Sequence, residues 1–135
     1  MVTCGGPARL ETRELVFEDS RLRSWKVLHG ELRVLIEGSV LVTVGAARTS
    51  WSQELEIVVS GAALLSEPRE DLWLVACELQ LGEERIERVF LPFEGAGEVR
   101  LELRCGDGAS LQAAGTRVSF EETGEATFLE RLEQE

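Results

Sequence analysis

From Glu31 to Glu121 the chain keeps setting an apolar residue beside a polar one. Glu-Leu-Arg-Val-Leu-Ile-Glu (31–37), Gln-Glu-Leu-Glu-Ile-Val-Val (53–59), Glu-Val-Arg-Leu-Glu-Leu-Arg (98–104) and Thr-Arg-Val-Ser-Phe-Glu (116–121) all carry this pattern. Successive side chains of a strand point to opposite faces, so a period of two means strands with one wet and one buried face. Sheets of that kind are antiparallel. The pattern therefore predicts an all-β protein and constrains function mainly by what it leaves out.

Turn residues divide the pattern into segments. Leu15–Glu18 and Arg21–Leu28 read as strands about an Asp19-Ser20 turn. His29-Gly30 joins the second of them to Glu31–Glu37 as a tight hairpin. Gly38 is a bulge in one long strand or a turn between two, with Ser39–Val44 resuming the alternation. A loop follows over Gly45–Ser50, then a strand over Trp51–Val59. Ser60–Asp71 breaks the pattern, with a short helical turn at Leu64 and Leu65. Asp71–Leu81 is a strong strand that returns through Gly82-Glu83-Glu84 as Arg85–Phe93, where Pro92 suits an edge or a strand end. Glu94–Gly97 reads as a loop. Glu98–Cys105 and Ala109–Ala114 flank Gly106-Asp107-Gly108, residues that tolerate positive φ. Gly115 bulges or turns the chain into Thr116–Glu121.

The last segment changes period. Phe128, Leu129 and Leu132 fall on one helical stripe, and Thr127 with Glu130 reads as a capping box. A short C-terminal helix is predicted, frayed by acids that oppose its dipole. The organisation expected is a loose arm over 1–14, one antiparallel domain over 15–121, and an acidic helix or tail over 122–135. About eight to ten short strands at hairpin spacing make a β-sandwich or a flattened barrel.

The chain has 135 residues, 44% of them apolar, enough for one domain with a real core. Its formal charge is −11, from 25 acids against 14 bases. Nucleic acid and anionic membranes reward positive charge, so neither is an expected partner. A basic protein is. Lys26 is the only lysine, and Asn and Tyr are absent. Their codons are A/T-rich, which points to a GC-rich, bacterial genome. No apolar run opens the chain, and no uncharged stretch reaches the roughly 20 residues that span a bilayer. The expected location is the cytoplasm.

Most catalytic chemistries lack their residues. Cys4, Cys77 and Cys105 contain no close pair, so neither a disulfide framework nor a zinc site is expected. Cys77 shares the parity of Trp73, Val75, Leu79 and Leu81, and Cys105 that of Val99, Leu101 and Leu103. Both cysteines, and Trp73, are expected in the core, while Cys4 sits in an exposed segment. His29 is the only histidine, so any Ser-His-Asp or Cys-His arrangement must use it. At a hairpin tip its simpler role is to adopt an unusual backbone angle. No nucleophile elbow or phosphate-binding glycine motif occurs. No calcium loop surrounds Asp107. Glu78, interrupting an apolar strand, is the one odd position for an acid catalyst. No cofactor or metal is expected.

The run Phe17-Glu-Asp-Ser-Arg-Leu-Arg-Ser-Trp-Lys-Val-Leu-His-Gly-Glu-Leu-Arg-Val-Leu-Ile-Glu37 resembles the opening of small bacterial all-β domains. Those carry an Asp-Ser pair, an aliphatic residue and then a hairpin. Gly106-Asp-Gly-Ala-Ser-Leu-Gln-Ala-Ala-Gly-Thr-Arg-Val-Ser-Phe120 is similar to their closing hairpin. Some such domains are uncharacterised, and some are similar to immunity proteins encoded beside toxins. Many have His before the Asp-Ser pair, where this chain has Glu18. The resemblance implies the fold and an immunity-like setting, and no site residue.

The reading that follows is a non-enzymatic acidic protein-interaction module. It would bind a basic partner through a sheet face or an edge strand. Glu54, Glu56, Glu98 and Glu102 are the candidate face residues, and Trp25 and Trp51 the candidate anchors, since Trp is enriched at interfaces. The alternatives are a small-ligand carrier with an apolar cavity lined by Trp25 or Trp73, and a homo-oligomer joined through β edges.

Overall fold

A computed structural model describes residues 11–68 and 72–132. Cys4, most of the expected arm, and the last three residues of the tail lie outside that range. The strands are β1 (Glu11–Leu28), β2 (Glu31–Val44), β3 (Ala47–Ser60), β4 (Ala63–Ser66), β5 (Leu72–Leu81), β6 (Glu84–Ile86), β7 (Val89–Phe90), β8 (Phe93–Cys105), β9 (Ser110–Glu122) and β10 (Thr127–Leu132). Neighbours follow the order β3-β2-β1-β5-β8-β9, and β9 pairs back onto β3. The result is a closed six-stranded antiparallel barrel with short extra strands, which decides between sandwich and barrel.

Alternation fills the barrel. Leu32, Val34, Ile36 and Val40 of β2, Leu55, Ile57 and Val59 of β3, and Leu111, Val118 and Phe120 of β9 are all fully buried. Phe120 sits among Phe17 and Phe93, edge-on at 6.1 and 5.7 Å. Each such side chain contributes roughly 1.5–3 kcal/mol of burial. Eight strands already give an interior that side chains just fill, and six give less room.

Small residues shape the corners. β1 and β2 pair from Glu11↔Val44 to Val16↔Ser39, then jump to Arg21↔Glu37. The expected Asp19-Ser20 turn is instead a bulge inside one long strand. Ser20 is buried and repairs it: its hydroxyl donates to the Val16 carbonyl (2.7 Å) and accepts from the Ser39 N–H (3.0 Å). Gly38, opposite the bulge, lies inside an unbroken β2. A Cβ there would meet Leu15 Cδ1 at 2.8 Å and Leu55 Cδ2 at 2.9 Å.

The barrel closes along a two-part seam. β9 pairs with β3 from Leu55↔Glu122 to Ser60↔Arg117. Beyond Gly61, β4 continues along β9 (Ala63↔Ala114), and beyond Gly124, β10 continues along β3 (Thr127↔Ser52). The two main chains come very close at Gly115, where a Cβ would lie 2.6 Å from the Ser60 carbonyl oxygen. Gln53, buried, pins the other kink by donating from Nε2 to the carbonyls of Glu54 (2.9 Å) and Gly124 (2.8 Å).

Several sequence expectations are corrected. The C-terminal helix is a strand, β10. Extended, it pairs with the edge of β3 over Arg48–Ser52 and sets Phe128 edge-on to Trp51 at 5.3 Å. A helix would leave that edge bare. The helical turn at Leu64 and Leu65 is β4, and the loop over Glu94–Gly97 belongs to β8, irregular near Gly97. β3 begins at Ala47, inside the expected loop, and β1 begins at Glu11, inside the expected arm. Arg85–Phe93 splits into β6 on β5 and β7 on β1.

Trp73 is the largest correction. It is 57% exposed, and Val75 is 51% exposed. Pairing with β8 passes from Leu74↔Cys105 to Ala76↔Arg104, so one residue is extra and the parity of β5 flips. Leu74 faces inward before the bulge and Leu79 after it. Cys105 is buried and Cys77 half-buried against the core. His29 and Gly30 have φ of 52° and 76°, the pair of positive angles that a two-residue hairpin turn demands. Among the described residues no helix is long and apolar enough to cross a membrane.

Candidate functional site: a carboxylate trough across the barrel

The outer face carries a trough that crosses five adjacent strands. β10 supplies Leu129 and Glu130, β3 supplies Ser50 and Ser52, and β2 supplies Glu37, Gly38 and Ser39. Asp19 in the β1 bulge and Trp73 at the start of β5 close the far end. The open volume is about 450 Å³. Register explains the floor, since Ser39 lies opposite Ser52 and Leu41 opposite Ser50. Small side chains meet there from neighbouring strands and leave a depression. Exposed Trp73 and Leu129 stand at its two ends.

A second depression of about 290 Å³ adjoins it and shares Glu37 and Ser52. Arg23, Leu35, Glu54, Glu125 and Thr127 complete its lining. Glu37 and Glu54 are directly opposed across β2 and β3, and both are exposed. Like charges so placed destabilise a sheet. Arg23 stands 3.9 Å from Glu37, and the Thr123 hydroxyl donates to Glu54 at 3.1 Å. Asp19, Glu125 and Glu130 form no ion pair among the described residues.

Several carboxylates elsewhere on the barrel are matched. Glu56 accepts from Arg33 at 2.9 Å, and Glu14 from Arg88 at 2.7 and 2.9 Å. The Arg88 hydrogen bonds hold the Glu14 carboxyl below its ordinary range, against the cost of burial. Glu102 is opposed by burial, yet hydrogen bonds from Gln112 and Arg104 keep its carboxyl low. Glu78 is held by Arg85 (3.1 Å) and Arg104 (2.9 Å) on the outer wall, so it is an ion-paired surface acid rather than a buried one. Of the acids around the trough, Glu37 has Arg23 at 3.9 Å, while Asp19, Glu54, Glu125 and Glu130 form no ion pair among the described residues.

Of the candidate face residues and anchors, only Glu54 reaches this region, in the adjoining depression. Glu56 lies next along β3 but is neutralised by Arg33. Glu98 and Glu102 are on β8. Glu102 aligns with Gln112 of β9, whereas Glu56 aligns with Glu121 nine residues further on, roughly 30 Å along the strand. The four glutamates therefore do not form one face. Trp51 is half-buried under β10, its Nε1 donating to Thr49 Oγ1 at 2.8 Å. Trp25 is half-buried against the core, its Nε1 enclosed without an acceptor. Neither is an exposed anchor. Trp73 is the exposed one, with the Arg21 guanidinium 5.4 Å from its ring.

Neither cysteine is suited to nucleophilic work. Burial, with Glu78 and Glu102 nearby, pushes the Cys77 thiol up to about 12. Burial and Asp107 raise that of Cys105. Comparisons with protein-family models, curated proteins and solved structures gave no match.

Proposed function

We propose that this chain is a non-enzymatic, acidic protein-interaction module that binds a basic partner on the outer face of its barrel. The observation that carries this reading is the trough with its adjoining depression, where Asp19, Glu54, Glu125 and Glu130 form no ion pair among the described residues and Glu37 faces Glu54 across the sheet. Opposed Glu37 and Glu54 cost stability that a partner's cation would return. Side chains fill the barrel, so the outer surface has more to offer a ligand than the interior does. An immunity-like, cytoplasmic setting suits a module of this kind, because electrostatic steering speeds the capture of a basic protein.

Random peptides displayed against the immobilised protein test the proposal. Selection at about 0.1 M salt should enrich Lys and Arg, and binding should fall towards about 1 M. The combined substitutions Asp19→Asn, Glu37→Gln, Glu54→Gln and Glu130→Gln should abolish it. Selected peptides indifferent to salt and to these substitutions would remove the proposal.

A second reading is favoured by β10. It pairs only with β3 among the described residues, and Leu129 and Phe128 are exposed on it. Such an edge can pair with another copy. Light scattering at high protein concentration decides this, since a monomer excludes it.

A further inference from the structure

We infer that β10 is a detachable strap: it leaves β3 as a unit while the barrel stays folded, and the edge it bares accepts β10 of a second copy. Burial carries the first half. The six barrel strands each place side chains in the core, yet no residue of β10 is buried. Its aromatic hold is Phe128, edge-on to Trp51 at 5.3 Å and still 51% exposed. Among the described residues β10 pairs only with β3, in a register broken between Phe128 and Glu130. A segment with few buried apolar contacts and exposed hydrogen bonds opens at far lower free energy than the whole fold.

The hinge is equally well marked. β9 and β10 follow one another along β3, and between Glu122↔Leu55 and Thr127↔Ser52 residues 123–126 run against only Gln53 and Glu54. Thr123 and Gly124 are latched to the barrel. The Thr123 N–H donates to the Glu54 carbonyl (2.9 Å), and the Gly124 carbonyl accepts from Gln53 Nε2 (2.8 Å). Glu125 and Ala126 make no backbone hydrogen bond among the described residues. Opening therefore begins there and leaves the β3–β9 seam intact.

The occupant follows from the fit. The bared edge, Arg48–Ser52 with Trp51, is the one on which this strand's own sequence is seated. Reciprocal exchange gives two copies the same contacts without a new surface. It differs from pairing through the outer edge, in which each β10 stays on its own β3. A tethered strap competes at an effective concentration of order 1 mM, so exchange needs protein near that level. Two chains of formal charge −11 repel, so salt favours exchange, the reverse of basic-peptide binding.

The tests use the full chain. Native-state hydrogen exchange should find β10 amides at least about a hundredfold less protected than those of Val34 and Ile36 in β2. Phe128→Ala should speed β10 exchange by up to about tenfold, the weight of one aromatic pair, and leave Val34 and Ile36 unchanged. Amides of β10 as protected as those of β2 overturn the inference, and so does equal acceleration of both. For the second copy, Ser52→Cys and Thr127→Cys are made separately in a Cys4→Ser background and mixed, since these positions are directly opposed in the strap register. At about 1 mM protein and about 0.5 M salt, oxidation should join position 52 of one chain to position 127 of the other in excess over links between like positions. Near 1 µM, roughly a thousandfold below the effective concentration, that link should vanish. Like links as frequent as the mixed one, or no mixed link, overturn the exchange.

Discussion

Gly115→Ala puts the barrel seam under direct strain. Gly115 has an ordinary backbone conformation, so replacing it elsewhere would stabilise a protein by about 0.4–1 kcal/mol through the unfolded state. Here the added methyl would sit 2.5 Å from Val59 Cγ1 and 2.6 Å from the Ser60 carbonyl oxygen. The side chain could rotate away, but the carbonyl belongs to β3 and is held where β3 and β9 pair. Overpacking of this kind costs about 1–3 kcal/mol. A chain of this length has an unfolding entropy of about 0.28 kcal/mol/K, so a loss of 2 kcal/mol lowers the melting temperature by about 7 °C. Gly124→Ala is the control, because its nearest contacts are at 3.5 Å. Calorimetric melting of both variants beside the parent is the assay. A Gly115→Ala protein as stable as the parent, or more so, refutes the close approach and with it the seam.

Three further outcomes follow from individual groups. Glu54→Gln or Glu37→Gln should stabilise the fold by about 0.2–1 kcal/mol in denaturant titrations at low salt, with the gain fading near 1 M. Glu14 has its folded-state carboxyl below the unfolded value, so its contribution is present above the carboxylate range and lost as pH falls through it. Glu14→Gln should therefore melt earlier than the parent at neutral pH, and the gap should close on acidification. In a Cys4→Ser background, Cys77 and Cys105 should resist a thiol reagent near pH 8 and react on unfolding, as burial keeps both protonated.

Much of this architecture can be read from the alternation, and its failures have local causes. Pattern and turn chemistry locate the His29-Gly30 hairpin and the Gly106-Asp107-Gly108 turn because each depends on neighbouring residues alone. Trp73 is misjudged because a single extra residue at Val75 flips parity, and nothing in the side chains announces that bulge. Phe128, Leu129 and Leu132 suit a helical stripe as well as a bulged strand, and only the bare edge of β3 decides between them. The trough is still less legible. It joins Ser39, Ser50 and Ser52, residues of small information content, through the register of strands that pair across the fold. Asp19 and Glu130 look like any other acids until their lack of ion pairs is seen beside the matched glutamates at positions 14, 56 and 102.

The central claim is that the trough, and not the acid surface at large, receives the basic guest. Amide-resolved NMR during titration with a Lys- and Arg-rich peptide selected against the protein tests it most directly. Shifts should concentrate at Gly38, Ser39, Ser50, Ser52 and the Trp73 indole N–H, leaving β8 unmoved. Shifts centred on Glu98–Glu102, or spread evenly over every acidic wall, would contradict it.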